Sequence, residues 1–166
     1  MHETRVSHKN FLGYVPFEWP PRNGFMKFKM RKLDNNNFDH EYDILVLGVT
    51  SSSSLKEQKM PFIRTKNNDN QIKYFTSSAN SKTNAIVHHP LVGTDYHEVQ
   101  FKYKDNDGDD RTKLEVFFDG VVIGNVVIEI VQKENVEIYA SYDGEQENYD
   151  PPATNILIKD LEFGED

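Results

Sequence analysis

The 166-residue chain contains no cysteine, which excludes disulfides, thiol nucleophiles and cysteine-ligated zinc or iron–sulfur centres together. That absence bears little on compartment, since many secreted β proteins also lack bridges. Long apolar runs are missing too, and the opening M-H-E-T-R-V-S-H-K-N has no apolar core of the signal-peptide kind, so membrane insertion is not expected. None of the fifteen asparagines stands in an Asn-x-Ser/Thr sequon, so N-glycosylation has no acceptor. Together these lean towards an intracellular or microbial setting and otherwise leave the localisation open. Helical periodicity is absent, with no segment offering an amphipathic helix of three turns. Excess positive charge is absent as well. The net charge is −8, which does not suit nucleic acid or anionic membranes, where Lys and Arg must displace counterions.

What the chain does have is alternation. Val99, Phe101 and Tyr103 alternate with polar residues, as a half-buried strand requires. After the loop D-N-D-G-D-D comes K-L-E-V-F-F-D-G-V-V-I-G-N-V-V-I. A two-residue Asp-Gly loop between apolar runs predicts a type I′ hairpin at Asp119-Gly120. It would pair Phe118 with Val121, Phe117 with Val122 and Val116 with Ile123. Leu114, Val116, Phe118, Val121 and Ile123 then form the core face.

Elsewhere, Met26, Phe28 and Met30 alternate with Lys27, Lys29 and Arg31. Glu41–Val49 is apolar on both faces beyond its first turn of acids, as in a central strand. Shorter strands are predicted at 62–65, 72–76 and 85–88, and a longer one at 136–142. In 154–163, Ile156 and Ile158 keep one phase, and Leu161 and Phe163 resume in the other, which predicts a β-bulge at Lys159-Asp160. About ten strands without a repeat unit imply an all-β, two-sheet antiparallel sandwich or jelly roll spanning 1–166 as one domain. A closed up-and-down barrel is the alternative.

Y-H-E-V-Q-F-K-Y-K, L-E-V-F-F-D-G-V-V-I-G and the ending N-I-L-I-K-D-L-E-F together resemble the concanavalin A-like lectin/glucanase superfamily, including laminin G-like modules. The resemblance implies a fold and leaves the activity open, because that superfamily holds lectins, glycan-binding modules, glycosidases, lyases and protein-binding domains. Its retaining glucanases carry Glu-x-Asp-x-Glu on one strand, with carboxyls about 5 Å apart. The nearest segment here has Glu41 and Asp43, but Leu45 stands where the second glutamate belongs. That mechanism is therefore unavailable, and a non-catalytic binding domain is expected.

Sugar binding requires aromatic surfaces beside amides and carboxylates. The candidates are Trp19, with Tyr14 and Phe17, for stacking; Asn67, Asn68, Asp69 and Asn70 beside Tyr74; and Asn148, Tyr149 and Asp150. Asp105, Asp107, Asp109 and Asp110 offer hard oxygens to calcium. In EF-hand register, however, the glycine falls early and Val116 takes the place of the closing glutamate, so a solvated turn is the default and no cofactor is expected. His97, in phase with Val99, reads as a partly buried histidine satisfied by a hydrogen bond.

Carbohydrate is the leading ligand class and a protein partner the alternative. The latter is motivated by the contrast between Arg22, Lys27, Lys29, Arg31 and Lys32 near the front and eight acids against one lysine from Asp143 to Asp166. The basic set reads either as a solvated strand face or as a docking site for acids, including the chain's own acidic end.

Overall fold

Period-two patterning becomes strand throughout the computed structural model, which describes residues 3–7, 10–19, 21–32, 41–49, 62–66, 71–75, 85–88, 95–105, 111–129, 134–142 and 153–165. The strands are β1 (Thr4–Ser7), β2 (Asn10–Tyr14), β3 (Gly24–Lys32), β4 (Glu41–Val49), β5 (Phe62–Lys66), β6 (Gln71–Phe75), β7 (Ala85–His88), β8 (His97–Asp105), β9 (Arg111–Phe118), β10 (Val121–Glu129), β11 (Val136–Tyr142) and β12 (Ala153–Glu165). They form two antiparallel sheets. Hydrogen bonds link the strands in one continuous order, β10-β9-β8-β3-β12-β1-β11-β4-β5-β6-β7, with β2 also on β11. A short parallel pairing of Ser7 with Ser141 joins β1 to β11 at the seam.

The core lies where the inward phases meet. Met26, Phe28 and Met30 of β3, Val99, Phe101 and Tyr103 of β8, and Leu114, Val116 and Phe118 of β9 pack with Ile156 and Ile158 of β12 and Val136 and Ile138 of β11. Burying such side chains contributes roughly 1.5–3 kcal/mol each, so this cluster dominates the energetics of the described part. The same alternation carries Lys32 inward, fully buried opposite Ile156.

The hairpin forms at Asp119-Gly120 with both φ angles positive, 49° and 79°, as a type I′ turn needs. Its register departs from expectation after Val122. Gly124, not Ile123, pairs with Val116, so Ile123 is the extra residue of a bulge and packs on the core from its margin. Val121 is not core: β10 ends the strand order and leaves it 65% exposed.

The bulge predicted in β12 is present. Lys159 pairs with Lys29 and Glu162 with Lys27, so Asp160 and Leu161 together oppose Phe28. Asp160 takes a φ of 56°, and Leu161 and Phe163 pack against the core. β1 was not anticipated, because Val6 is the single large apolar residue in T-R-V-S.

Candidate functional site

Trp19 is not available for stacking. Its ring is fully buried, edge-on to Tyr103 at 5.1 Å and to Phe163 at 5.5 Å, with Phe17 tilted against it at 5.9 Å. The large apolar indole is worth more in the core than on the surface, which sequence spacing alone does not reveal. Neither the indole Nε1 nor the Tyr103 hydroxyl completes a hydrogen bond of good geometry. Burial pushes the Tyr103 phenol far above the ordinary tyrosine range, and the neighbouring Trp19 indole offsets part of that rise.

The exposed rings of this region are instead Phe11, 50% exposed, and Tyr14, 55% exposed. Three residues apart on a regular strand, they would point to opposite faces. A bulge in β2 prevents this: Leu12 and Gly13 together oppose Ile138, while Phe11 pairs with Tyr139 and Tyr14 with Glu137. Gly13 has a φ of 140°, a conformation that side chains with a Cβ rarely adopt. Leu12 turns to the core, and Phe11 and Tyr14 share the outward face. Their centroids are 5.2 Å apart and their planes 72° from parallel. Val15 donates its N–H to the Val136 carbonyl at 2.9 Å, extending the attachment of β2 to β11. Glu137, in register with Tyr14 on that outward face, is only 8% exposed.

The outward face of β3 differs in character. Lys27 Nζ lies 3.2 Å from Glu162, Lys29 Nζ 3.7 Å from Asp160 and Arg31 Nε 3.6 Å from Glu3. The chain's own acidic β12 thus supplies partners for Lys27 and Lys29. A shallow depression of about 180 Å³ here is lined by Lys27, Phe28, Lys29, Glu98, Asp160 and Glu162. Beside it, Tyr96 receives Lys159 Nζ at 3.9 Å and Arg31 at 5.4 Å from its ring centroid.

Asp105, put forward as a calcium ligand, has structural partners. Its carboxylate accepts from Arg22 Nη1 at 2.9 Å and its backbone N–H donates to Asn23 Oδ1 at 3.1 Å, tying the turn before β3 to the end of β8. Asp107, Asp109 and Asp110 lie outside the described residues, as do Asn67, Asn68, Asp69, Asn70, Asn148, Tyr149 and Asp150. Among the described residues no group of three or more His, Asp or Glu gathers to hold a metal. Tyr74 stands in β6 between Ile63 and Ala85. In the ladder of β4 with β5, Glu41 is in register with Lys66 and Asp43 with Arg64.

His97 has the partner expected of it. Its Nδ1 is 2.7 Å from Asp119 Oδ2, and its ring stacks on Phe118 at 5.6 Å. The other Asp119 oxygen accepts the Glu98 N–H at 2.8 Å, and the Asp119 N–H donates to the Glu98 carbonyl at 2.8 Å. The turn residue thereby clips the β9–β10 hairpin to the start of β8.

Two antiparallel sheets in this order, closed over one face of each, make a jelly-roll β-sandwich, the fold that the sequence resemblance implies. Solved structures bear this out at fold level. The Emp47p carbohydrate recognition domain aligns over 98% of this chain and 82% of its own, with 10% identity and a TM-score of 0.64. The carbohydrate-binding module CBM66 from Bacillus subtilis aligns over 99% and 86%, with 11% identity and a TM-score of 0.56. An alginate lyase from Corynebacterium sp. aligns over 93% of this chain and 61% of its own, with 9% identity and a TM-score of 0.58. No protein-family model and no curated protein matches the sequence.

Proposed function

We propose that the chain is one non-catalytic domain that binds carbohydrate. The observation that carries this reading is the exposed Phe11–Tyr14 pair, on a fold shared with a carbohydrate recognition domain and a carbohydrate-binding module. Aromatic faces receive the C–H face of a sugar, while carboxylates and amides accept its hydroxyls. The basic strand favours the same reading by elimination, because Lys27, Lys29 and Arg31 already have acidic partners within the chain. A docking site for an acidic protein would keep such charges available. The competing reading, a protein-interaction module, is favoured by β10, a terminal strand with Val121, Val122 and Val127 exposed, where a partner strand adds to a sheet edge.

A glycan array probed with the chain, with calcium and again with chelator, tests the proposal. Saturable binding to a related set of glycans is the expected result. A blank array under both conditions sinks it, and pull-down with and without the β10 substitution Val122→Lys then tests the competing reading. Loss of binding with chelator alone assigns a metal role to the 105–110 loop.

A further inference from the structure

We infer that the depression on the outward face of β3 holds one neutral sugar residue of a glycan; this rests on the carbohydrate reading above and uses strands other than those that carry Phe11 and Tyr14. The depression follows from the β12 bulge. Asp160 and Leu161 together oppose Phe28; Leu161 packs against the core, while Asp160, at a φ of 56°, lines the outer face. A bulge interrupts the ladder locally. Phe28 has its ring in the core, so what it presents to the opening is main chain. At about 180 Å³ the space is below the roughly 300–1,000 Å³ of pockets for drug-sized ligands, which suits one ring of a glycan and not a longer segment.

Its rim brings together donors and acceptors from β3, β8 and β12. Lys27 lies 3.2 Å from Glu162 and Lys29 3.7 Å from Asp160. Glu98 is in register with Lys29, yet the Lys29 ammonium is engaged with Asp160, and among the described residues the Glu98 carboxylate has no ion pair. It is the acceptor left over for a ligand. A sugar hydroxyl donates and accepts at once, so adjacent hydroxyls can donate to Glu98 and accept from a lysine. The two ion pairs join partly exposed side chains and contribute little stability, so a lysine N–H is lent to a hydroxyl at small cost. Charge sets the class of sugar. Lys27, Lys29 and, on the Tyr96 ring beside the rim, Lys159 balance Glu98, Asp160 and Glu162. An ionic sugar gives up its hydration there for no net counter-charge, whereas a neutral ring gives up only the hydration of its hydroxyls.

The test is titration of the isotope-labelled full chain with the strongest neutral oligosaccharide from the array, read by amide chemical shifts and by calorimetry. Alginate oligomers serve as the acidic probe and chitosan oligomers as the basic one. The expected result is that the amides of Lys27, Phe28, Lys29, Glu98 and Asp160 shift, that affinity for the neutral glycan is unchanged as salt is raised, and that both ionic probes bind more weakly. Glu98→Gln and Lys27→Met are each expected to weaken binding about tenfold, as loss of a hydrogen bond to a charged group does. Lys104→Met, outside the depression and 3.7 Å from Glu115, is expected to leave binding unchanged. All three side chains lie on the outer face, so the variants keep the wild-type melting curve, and a lost fold does not mimic lost binding. Amide shifts confined to other strands, an ionic probe that binds more tightly than the neutral glycan, or binding unchanged in both Glu98→Gln and Lys27→Met overturns the inference. Array binding by the unaltered chain then leaves the carbohydrate reading standing; a blank array removes both.

Discussion

The strands β2 and β12 use the same device to opposite ends. Each inserts one extra residue against its partner and each has a residue of positive φ at that point, Gly13 at 140° and Asp160 at 56°. In β12 the bulge brings Leu161 and Phe163 onto the core and Phe163 against Trp19. In β2 it sends Leu12 inward and sets Phe11 and Tyr14 side by side in solvent. The first bulge serves packing, and the second holds exposed apolar surface, which folding alone does not reward. The same backbone irregularity thus completes the core in one strand and displays two rings in the other.

The largest expected effect separates the two ring sets. Phe163→Ala removes a ring packed on Trp19 and should cost about 3 kcal/mol, whereas Phe11→Ala should stay within about 0.5 kcal/mol. Urea denaturation of both variants measures the contrast, and equal losses would show that the β2 rings belong to the core. Next come the bulges themselves. A β-branched residue at positive φ is strained, so Gly13→Val and Asp160→Val should each cost about 1–3 kcal/mol. Asp160→Gly should stay within about 1 kcal/mol, because glycine accepts that conformation and loses only the contact with Lys29.

Tyr103, in the cluster that β12 completes, gives a pH-dependent contrast. Its folded-state pKa lies above the ordinary phenol value of about 10. The unfolded chain therefore releases this proton first as pH rises. Tyr103 contributes its full stability below pH of about 10 and loses it progressively above that, at up to about 1.4 kcal/mol per pH unit. Tyr103→Phe should be within about 1 kcal/mol of the unaltered chain at neutral pH, since it also removes an unsatisfied hydroxyl. Its stability should fall less steeply above pH of about 10. Parallel alkaline limbs in the two proteins would refute the buried phenol. The smallest effect belongs to the outward face of β3: a double-mutant cycle of Lys27→Ala and Glu162→Gln should give a coupling below about 1 kcal/mol that shrinks with salt, as exposed pairs do.

How far the molecule is legible in its sequence follows from the same two bulges. In 156–163 apolar residues lie on both sides of the slip, so the change of phase at Lys159-Asp160 is visible as a break in period. In N-F-L-G-Y the flanking rings face solvent, no buried phase is interrupted, and the bulge has no counterpart in the pattern. The β9–β10 turn was readable because Asp-Gly dictates positive φ locally. The bulge at Ile123 was not, because Ile123 and Gly124 both satisfy the alternation. Trp19 illustrates the remaining difficulty: an aromatic residue is compatible with core and with ligand, and only the neighbours brought from β8 and β12 decide. The pairing of Lys27 and Lys29 with acids was open for a similar reason. Only the placement of β12 beside β3 tells whether the acidic end reaches them.

That placement also bears on synthesis. β12 is the last strand in the chain order, yet it lies between β3 and β1 in the sheet. A nascent chain must therefore hold the long edge of β3 and the short edge of β1 bare until β12 has been made. Closure of the sheet waits on contacts of great sequence separation, which makes folding slow and leaves an interval of exposure to aggregation. A ribosome-stalled chain lacking 153–165 should consequently be a chaperone client, and release of those thirteen residues should be the step that ends its dependence.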